Sequence, residues 1–217
     1  MLQFDPKTHT YRVGEDEYTP VTKYIEIFAP FNPIAWAKSV ARDRKIPISE
    51  AREITNEISR LARERGTLVH KAIEEVHKHG RDNLSVELYM IPEVQAFCAF
   101  NQTYPYTVLA AEYRVYNSDW KIAGTIDCII DLAGTKVMLD FKTGENFTTE
   151  SLYPMQFPFE DYNNCKLNKA ALQLGMYRLL CDIEVEMALV LHMNPYGGYF
   201  LHEVPDFRPQ LLEVLQR

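Results

Sequence analysis

Two apolar, β-branched runs, Ile126 to Leu132 and Lys136 to Phe141, flank the turn signal Ala133-Gly134-Thr135. The pattern predicts an antiparallel hairpin whose strands both lie inside a sheet. Into these runs are set Asp127 on the first strand and Asp140 and Lys142 on the second, where a buried charge is unfavourable unless it is paired or metal-bound. Side chains alternate along a strand, so Asp140 and Lys142 project from one face roughly 6.5–7 Å apart, while Phe141 points the other way into the core. A register that also puts Asp127 on the Asp140 face brings two carboxylates together. A divalent cation removes their repulsion, and hard oxygen ligands that leave water positions open suit Mg2+ or Mn2+ rather than zinc.

Outside this hairpin the periodicity alternates between strands and helices. Leu2 to Tyr11 and Arg12 to Tyr18 read as a short hairpin with His9 on its surface, and Thr19-Pro20-Val21-Thr22 opens a helix. Asn32 and Pro33 cap and start a helix with Ile34, Trp36, Ala37, Val40 and Ala41 on its apolar face. Another helix runs from Ser49 through about Arg65. Gly66 interrupts it, Thr67 caps a new turn, and Leu68 to His79 forms a separate helix closed by Gly80, with His77 and His79 exposed at its end. Ser85 to Tyr104 reads as a helix that Pro92 starts or kinks. Thr107 to Tyr116 and Trp120 to Leu132 join the strand ending in Lys142 as a three-stranded meander. Lys166 to Cys181 is a strong helix, Glu184 to Met193 and Tyr199 to Val204 are strands, and Phe207 to Gln216 closes the chain as an amphipathic helix. The whole is an α/β pattern, a mixed sheet flanked by helices.

With 217 residues and 47% hydrophobic content, the chain is expected to form one domain over 1–217. Residues 1–65 are its N-terminal hairpin and helical part, and 66–217 its core. No apolar run approaches the roughly 20 residues that span a bilayer, and the start lacks a signal or transit pattern, so no membrane association and a cytoplasmic location are expected. A net charge of −7 argues against a generally basic nucleic-acid coat. Any contact with DNA has to rely on a local basic strip and on bound metal. Arg52, Arg60, Arg63 and Arg65 come nearest to such a strip, and a solvated face of i,i+4 ion pairs is an equally good reading of them. Cys98, Cys128, Cys165 and Cys181 form no C-x-x-C pair and read as core thiols. The segment from Glu145 to Asn164 is too long for an idle turn; its aromatics either stack on unpaired bases or cover a core edge. No phosphate loop of the Gly-x-x-x-x-Gly-Lys kind occurs, so no ATPase motor is expected.

Gly124-Thr125-Ile126-Asp127 followed by Leu139-Asp140-Phe141-Lys142-Thr143-Gly144 resembles the motif of the PD-(D/E)XK nucleases, in the variant of the RecB-type exonuclease branch. Two further blocks agree in order and spacing: Arg65-Gly66-Thr67-Leu68-Val69-His70-Lys71-Ala72-Ile73-Glu74 upstream and Gln173-Leu174-Gly175-Met176-Tyr177-Arg178 downstream. The small N-terminal hairpin and its Val-Thr step are similar to those of phage nucleases and the mitochondrial genome maintenance exonuclease. The resemblance implies a restriction-endonuclease-like mixed central sheet and phosphodiester hydrolysis by water activated at a metal. His70, Asp127, Asp140 and the backbone carbonyl of Phe141 would hold Mg2+ or Mn2+, while Lys142 stabilises developing charge or acidifies the attacking water. Gln173 and Tyr177 would contact substrate or orient ligands, with Glu74 and Glu112 as supporting acids, Glu112 reading equally as an exposed strand residue. Arg65, Thr143 and Lys169 are the substrate-binding candidates. The implied partner is DNA, single-stranded or at its ends, in recombination or repair in a phage or bacterium. The tight C-terminal group of three cysteines that holds an iron–sulfur cluster in some relatives is missing, so no cluster is expected. Cutting from DNA ends is favoured, with a structure-specific endonuclease and a catalytically silent DNA-binding or scaffold module as alternatives. Oligomeric state is not legible.

Overall fold

The computed structural model describes all residues except 1, 7 and 9, so the expectation for His9 lies outside the described residues. Three short strands open the chain, β1 (Leu2–Asp5), β2 (Thr10–Val13) and β3 (Asp16–Pro20), as an antiparallel meander where the pattern had suggested two longer strands. The turn residues after Asp5 and at Gly14 cut the run into three. Tyr11 and Tyr18 face each other across β2 and β3 and pack with Leu2 and Ala123.

Helix α1 (Val21–Tyr24) follows β3 directly, and α2 (Pro33–Arg44) begins as the sequence signals, the Asn32 side chain accepting the Ala35 N–H at 2.9 Å. The expected break at Gly66 does not occur: α3 (Ile48–His79) is one continuous helix of 32 residues. Thr67 donates its hydroxyl to the Arg63 carbonyl at 3.0 Å instead of capping a new turn. A stripe of Ala51, Thr55, Val69, Ala72, Ile73 and Val76 is buried along the helix, and this packing outweighs the poor helix propensity of Gly66. Where one helix was expected next, two form, α4 (Val86–Tyr89) and α5 (Pro92–Thr103). Pro92 lacks an N–H to donate and so begins a helix rather than continuing one.

The remaining elements are β4 (Thr107–Asn117), β5 (Ile122–Leu132), β6 (Thr135–Thr143), α6 (Lys166–Leu180), β7 (Met187–Met193), β8 (Tyr199–Glu203) and α7 (Arg208–Leu215). The fold is α/β: a mixed eight-stranded sheet in the order β1-β2-β3-β5-β6-β7-β8, with β4 also paired to β5. The predicted β4-β5-β6 meander is present, and Ala133 and Gly134 turn the β5-β6 hairpin with φ values of 52° and 90°. One face of the sheet packs Ile126, Ile129 and Met138 against Leu172 and Met176 of α6 and Phe207 before α7. The other packs Cys128, Leu139 and Phe141 against Val69 and Ile73 of α3 and Phe97 of α5. Cys98, Cys128 and Cys165 are buried thiols, as expected. In the 145–164 segment Met155 and Phe159 cover the core edge, while Tyr153 and Phe157 are exposed. Among the described residues no helix is long and apolar enough to cross a membrane.

One irregularity of the sheet positions everything that follows. Along one edge β5 pairs in parallel with β3 only at Ile122 and Ala123, and in antiparallel with β6 only from Cys128 to Leu132. Gly124 to Asp127 lie between these partners, where the sheet opens.

Candidate functional site

Asp127 sits at the fork where β5 and β6 part. Its Oδ2 accepts the Phe141 N–H at 2.8 Å, taking the place of a ladder bond between the strands. His70, on the sheet-facing side of α3, places Nε2 at 3.2 Å from the Phe141 carbonyl oxygen. A carbonyl only accepts, so Nε2 carries a hydrogen, and Nδ1 faces Asp127 Oδ1 at 3.6 Å. Helix and hairpin are therefore locked together through the backbone of one residue of β6, Phe141.

Glu112 joins them from β4 by an unusual route. Its φ is 48°, in the left-handed region that side-chain-bearing residues avoid within strands. Both strands slip by one position here. Ala110 and Tyr113 of β4 belong to the same core layer, as do Ile126 and Ile129 of β5, although strict alternation would put each pair on opposite faces. The slip turns Glu112 and Asp127 out together, and ligand atoms of His70, Glu112 and Asp127 all lie within 4.8 Å of one another. Desolvation and then the charge of Asp127 raise the Glu112 carboxyl above its usual pKa, with the nearby His70 pulling it down.

Asp140 and Lys142 form the second part of the site. Asp140 is 2% exposed, and burial pushes its carboxyl up to about 6 against the pull of the Lys142 ammonium. Lys142 Nζ lies 3.0 Å from Oδ1 and 2.8 Å from Oδ2, yet Oδ2 is buried without a properly oriented hydrogen bond. Burial works against the Lys142 charge, but Asp140 and then Asp127 outweigh it and hold the ammonium above its usual pKa. Lys142 also donates to Gln173 Oε1 at 3.2 Å, and Gln173 Nε2 donates to the Tyr177 hydroxyl at 3.2 Å, one helical turn along α6. Gly124 makes room for that tyrosine: a Cβ there would stand 2.4 Å from Tyr177 Cε1.

The structure thus brings together His70, Asp127, the Phe141 backbone, Asp140, Lys142, Gln173 and Tyr177. It also draws Glu112 into the group, which sequence reasoning had left open. The other candidates are engaged elsewhere. Arg65 forks onto the buried Glu93 of α5 with a shortest contact of 2.6 Å, Glu74 pairs with Lys78 at 2.5 Å, and Lys169 lies 3.6 Å from Glu26. Thr143 ends β6 beside Gly66, where a Cβ would come 3.6 Å from its Oγ1. His77 is not an exposed helix-end residue: it shares a 2.8 Å hydrogen bond with the Tyr106 hydroxyl and packs edge-on against Phe97.

A cleft of about 270 Å³ opens from Glu112 and Asp127 and continues between Arg114, Tyr11, Thr125 and Tyr177. Sequence reasoning missed Arg114, although its place two residues after Glu112 on the same predicted strand was a signal.

An imidazole nitrogen and two facing carboxylates suit a hard divalent cation. Without one the two facing carboxylates repel.

No family model matches the chain, and no curated protein matches it. Among solved structures, the crystal structure of SSO0001 aligns over 94% of this chain and 78% of its own, at 14% identity and a TM-score of 0.36. A likeness that weak says nothing of function.

Proposed function

We propose that this chain is a metal-dependent nuclease of restriction-endonuclease-like, PD-(D/E)XK type, close to the RecB branch, which hydrolyses phosphodiester bonds of DNA. The observation that carries the reading is the meeting of His70, Glu112 and Asp127 at the sheet opening, beside the Asp140–Lys142–Gln173–Tyr177 chain. A bound Mg2+ or Mn2+ would supply Lewis-acid charge at the scissile phosphate and make water more acidic.

The protein groups supply the rest. His70, fixed in one tautomer by the Phe141 carbonyl, offers Nδ1, and Asp127, anchored by one oxygen to the Phe141 N–H, offers the other. Glu112 would complete the donor set, with the Asp140–Lys142 pair beside it. Lys142 stays protonated, so its ammonium offsets negative charge growing on a phosphate oxygen. Gln173, itself tied to Tyr177, keeps Lys142 from swinging away. The adjoining cleft of about 270 Å³ is on the scale of one nucleotide.

End-labelled linear and circular DNA, single- and double-stranded, incubated with Mg2+, Mn2+ or chelator, tests this reading. Metal-dependent shortening of linear DNA alone is expected. Nicked or opened circles would make the enzyme an endonuclease, and metal-independent binding without cutting would leave only a DNA-binding module. Asp127→Ala, Asp140→Ala and Lys142→Ala should each lose at least about 10²–10³-fold in rate while keeping the wild-type circular dichroism spectrum. Activity that survives Asp140→Ala would contradict the assignment.

A further inference from the structure

Resting on the nuclease reading, we propose that Arg114 is a substrate-positioning residue: it holds the phosphate next to the one being cut, so that the cleft grips a single DNA strand across two consecutive phosphates.

The cations around the site differ sharply in what they are doing. Arg65 is spent on Glu93, Lys169 lies by Glu26, Arg60 sits between Glu57 and Glu64, and Lys142 is bound to Asp140. Arg114 is also exposed, lines the cleft, and has no carboxylate within 4.0 Å among the described residues. Its guanidinium instead lies over the Phe4 ring, 6.0 Å from the centroid, and Phe4 is stacked on Tyr11 with centroids 4.6 Å apart. Cation–π contact orients a guanidinium while leaving its N–H donors for an anion.

Two hydroxyls stand on the same wall. Tyr11 OH and Thr125 Oγ1 are 3.0 Å apart and both line the cleft. A guanidinium with a hydroxyl beside it is the donor set that takes a phosphate.

The spacing fits a polymer. Arg114 follows Glu112 by two residues on β4 and lines the same cleft, so the two side chains serve neighbouring positions along a bound nucleic-acid chain. With one phosphate at the His70, Glu112 and Asp127 cluster, the next falls at Arg114. In a protein of net charge −7, one unpaired cation placed this way counts for more than the paired arginines of α3.

Arg114→Ala, Arg114→Gln and Arg114→Lys, compared with the wild type on a fluorescein-labelled ten-residue oligothymidylate, test the proposal. In chelator, binding by the Ala and Gln variants should weaken about ten- to a hundredfold, and the slope of log affinity against log salt should fall by about 0.7. Arg114→Lys should keep the salt slope and recover part of the affinity. With Mg2+ the KM should rise by a similar factor and kcat change less than about threefold, while the Mn2+ isotherm of the Ala variant stays that of the wild type. Wild-type affinity and salt slope in both the Ala and Gln variants would overturn the inference and leave the nuclease reading standing. A wild type that binds the oligonucleotide with the Arg114 dependence described, yet cuts nothing with either metal, would overturn the nuclease reading instead.

Discussion

Glu112 is the one described residue with a side chain that takes a left-handed φ inside a strand; Lys45, Lys121 and Ala133 do so at a helix end and in turns. Such a conformation costs on the order of 1 kcal/mol, and glycine avoids it. Glu112→Gly should therefore raise stability to urea by about 1 kcal/mol while weakening Mn2+ binding, a trade visible by denaturation and calorimetry on one sample. Gly124 shows the opposite constraint. A methyl group there meets Tyr177 at 2.4 Å and Val21 Cγ2 at 3.2 Å, so Gly124→Ala should lose about 1–3 kcal/mol of stability and displace the Gln173–Tyr177 pair from Lys142. His77 sets an acid limit. Burial holds its imidazole down at about 4 against 6.5 for a free one, so the stability it contributes is complete above about pH 6.5 and drains away as pH falls toward 4. The loss is on the order of 3 kcal/mol. His77→Gln should flatten the wild-type stability profile across that window.

At the level of elements, the clasp between α3 and α5 matters most for holding His70 in place. Arg65 reaches across from α3 to Glu93, which is 2% exposed on α5. Removing the arginine strands a buried carboxylate, so Arg65→Ala should cost about 3–5 kcal/mol, and Arg65→Met with Glu93→Leu should restore most of it. The fate of Arg65 also shows where sequence reading stops. The β5-β6 hairpin, the Asn32 cap and the face shared by Asp140 and Lys142 were legible because each follows from local periodicity and turn chemistry. The continuity of α3 through Gly66 was not, since a buried stripe of residues up to 25 positions apart decides it. Nor was the paired slip of β4 and β5 that delivers Glu112 to Asp127. It adds one residue to each strand at the same level, so Ala111 still faces Cys128 and Tyr113 still faces Ile126, the register shifting only farther along at Val108 and Ala110, and the sequence shows only a strand with an acid in it.

Across the whole molecule, the opening in the sheet would let folding and the proposed metal binding report on each other. The candidate donors His70, Glu112 and Asp127 come from α3, β4 and β5, which meet only in the native state, so a cation bound there would stabilise the fold by mass action. At a hundredfold excess over Kd, Mn2+ should add about 2.7 kcal/mol and raise the melting temperature, and Asp127→Asn with Glu112→Gln should abolish that increment. Chelator should leave the double variant unmoved. The length of α3 has one more consequence. Its 32 residues make a rod of about 48 Å, with His70 near the inner end and the outer half resting on α2. A tilt of about 3° pivoting at His70 would carry Ile48 sideways by roughly 2 Å, so the outer arm magnifies any small rotation of the helix where it meets the sheet.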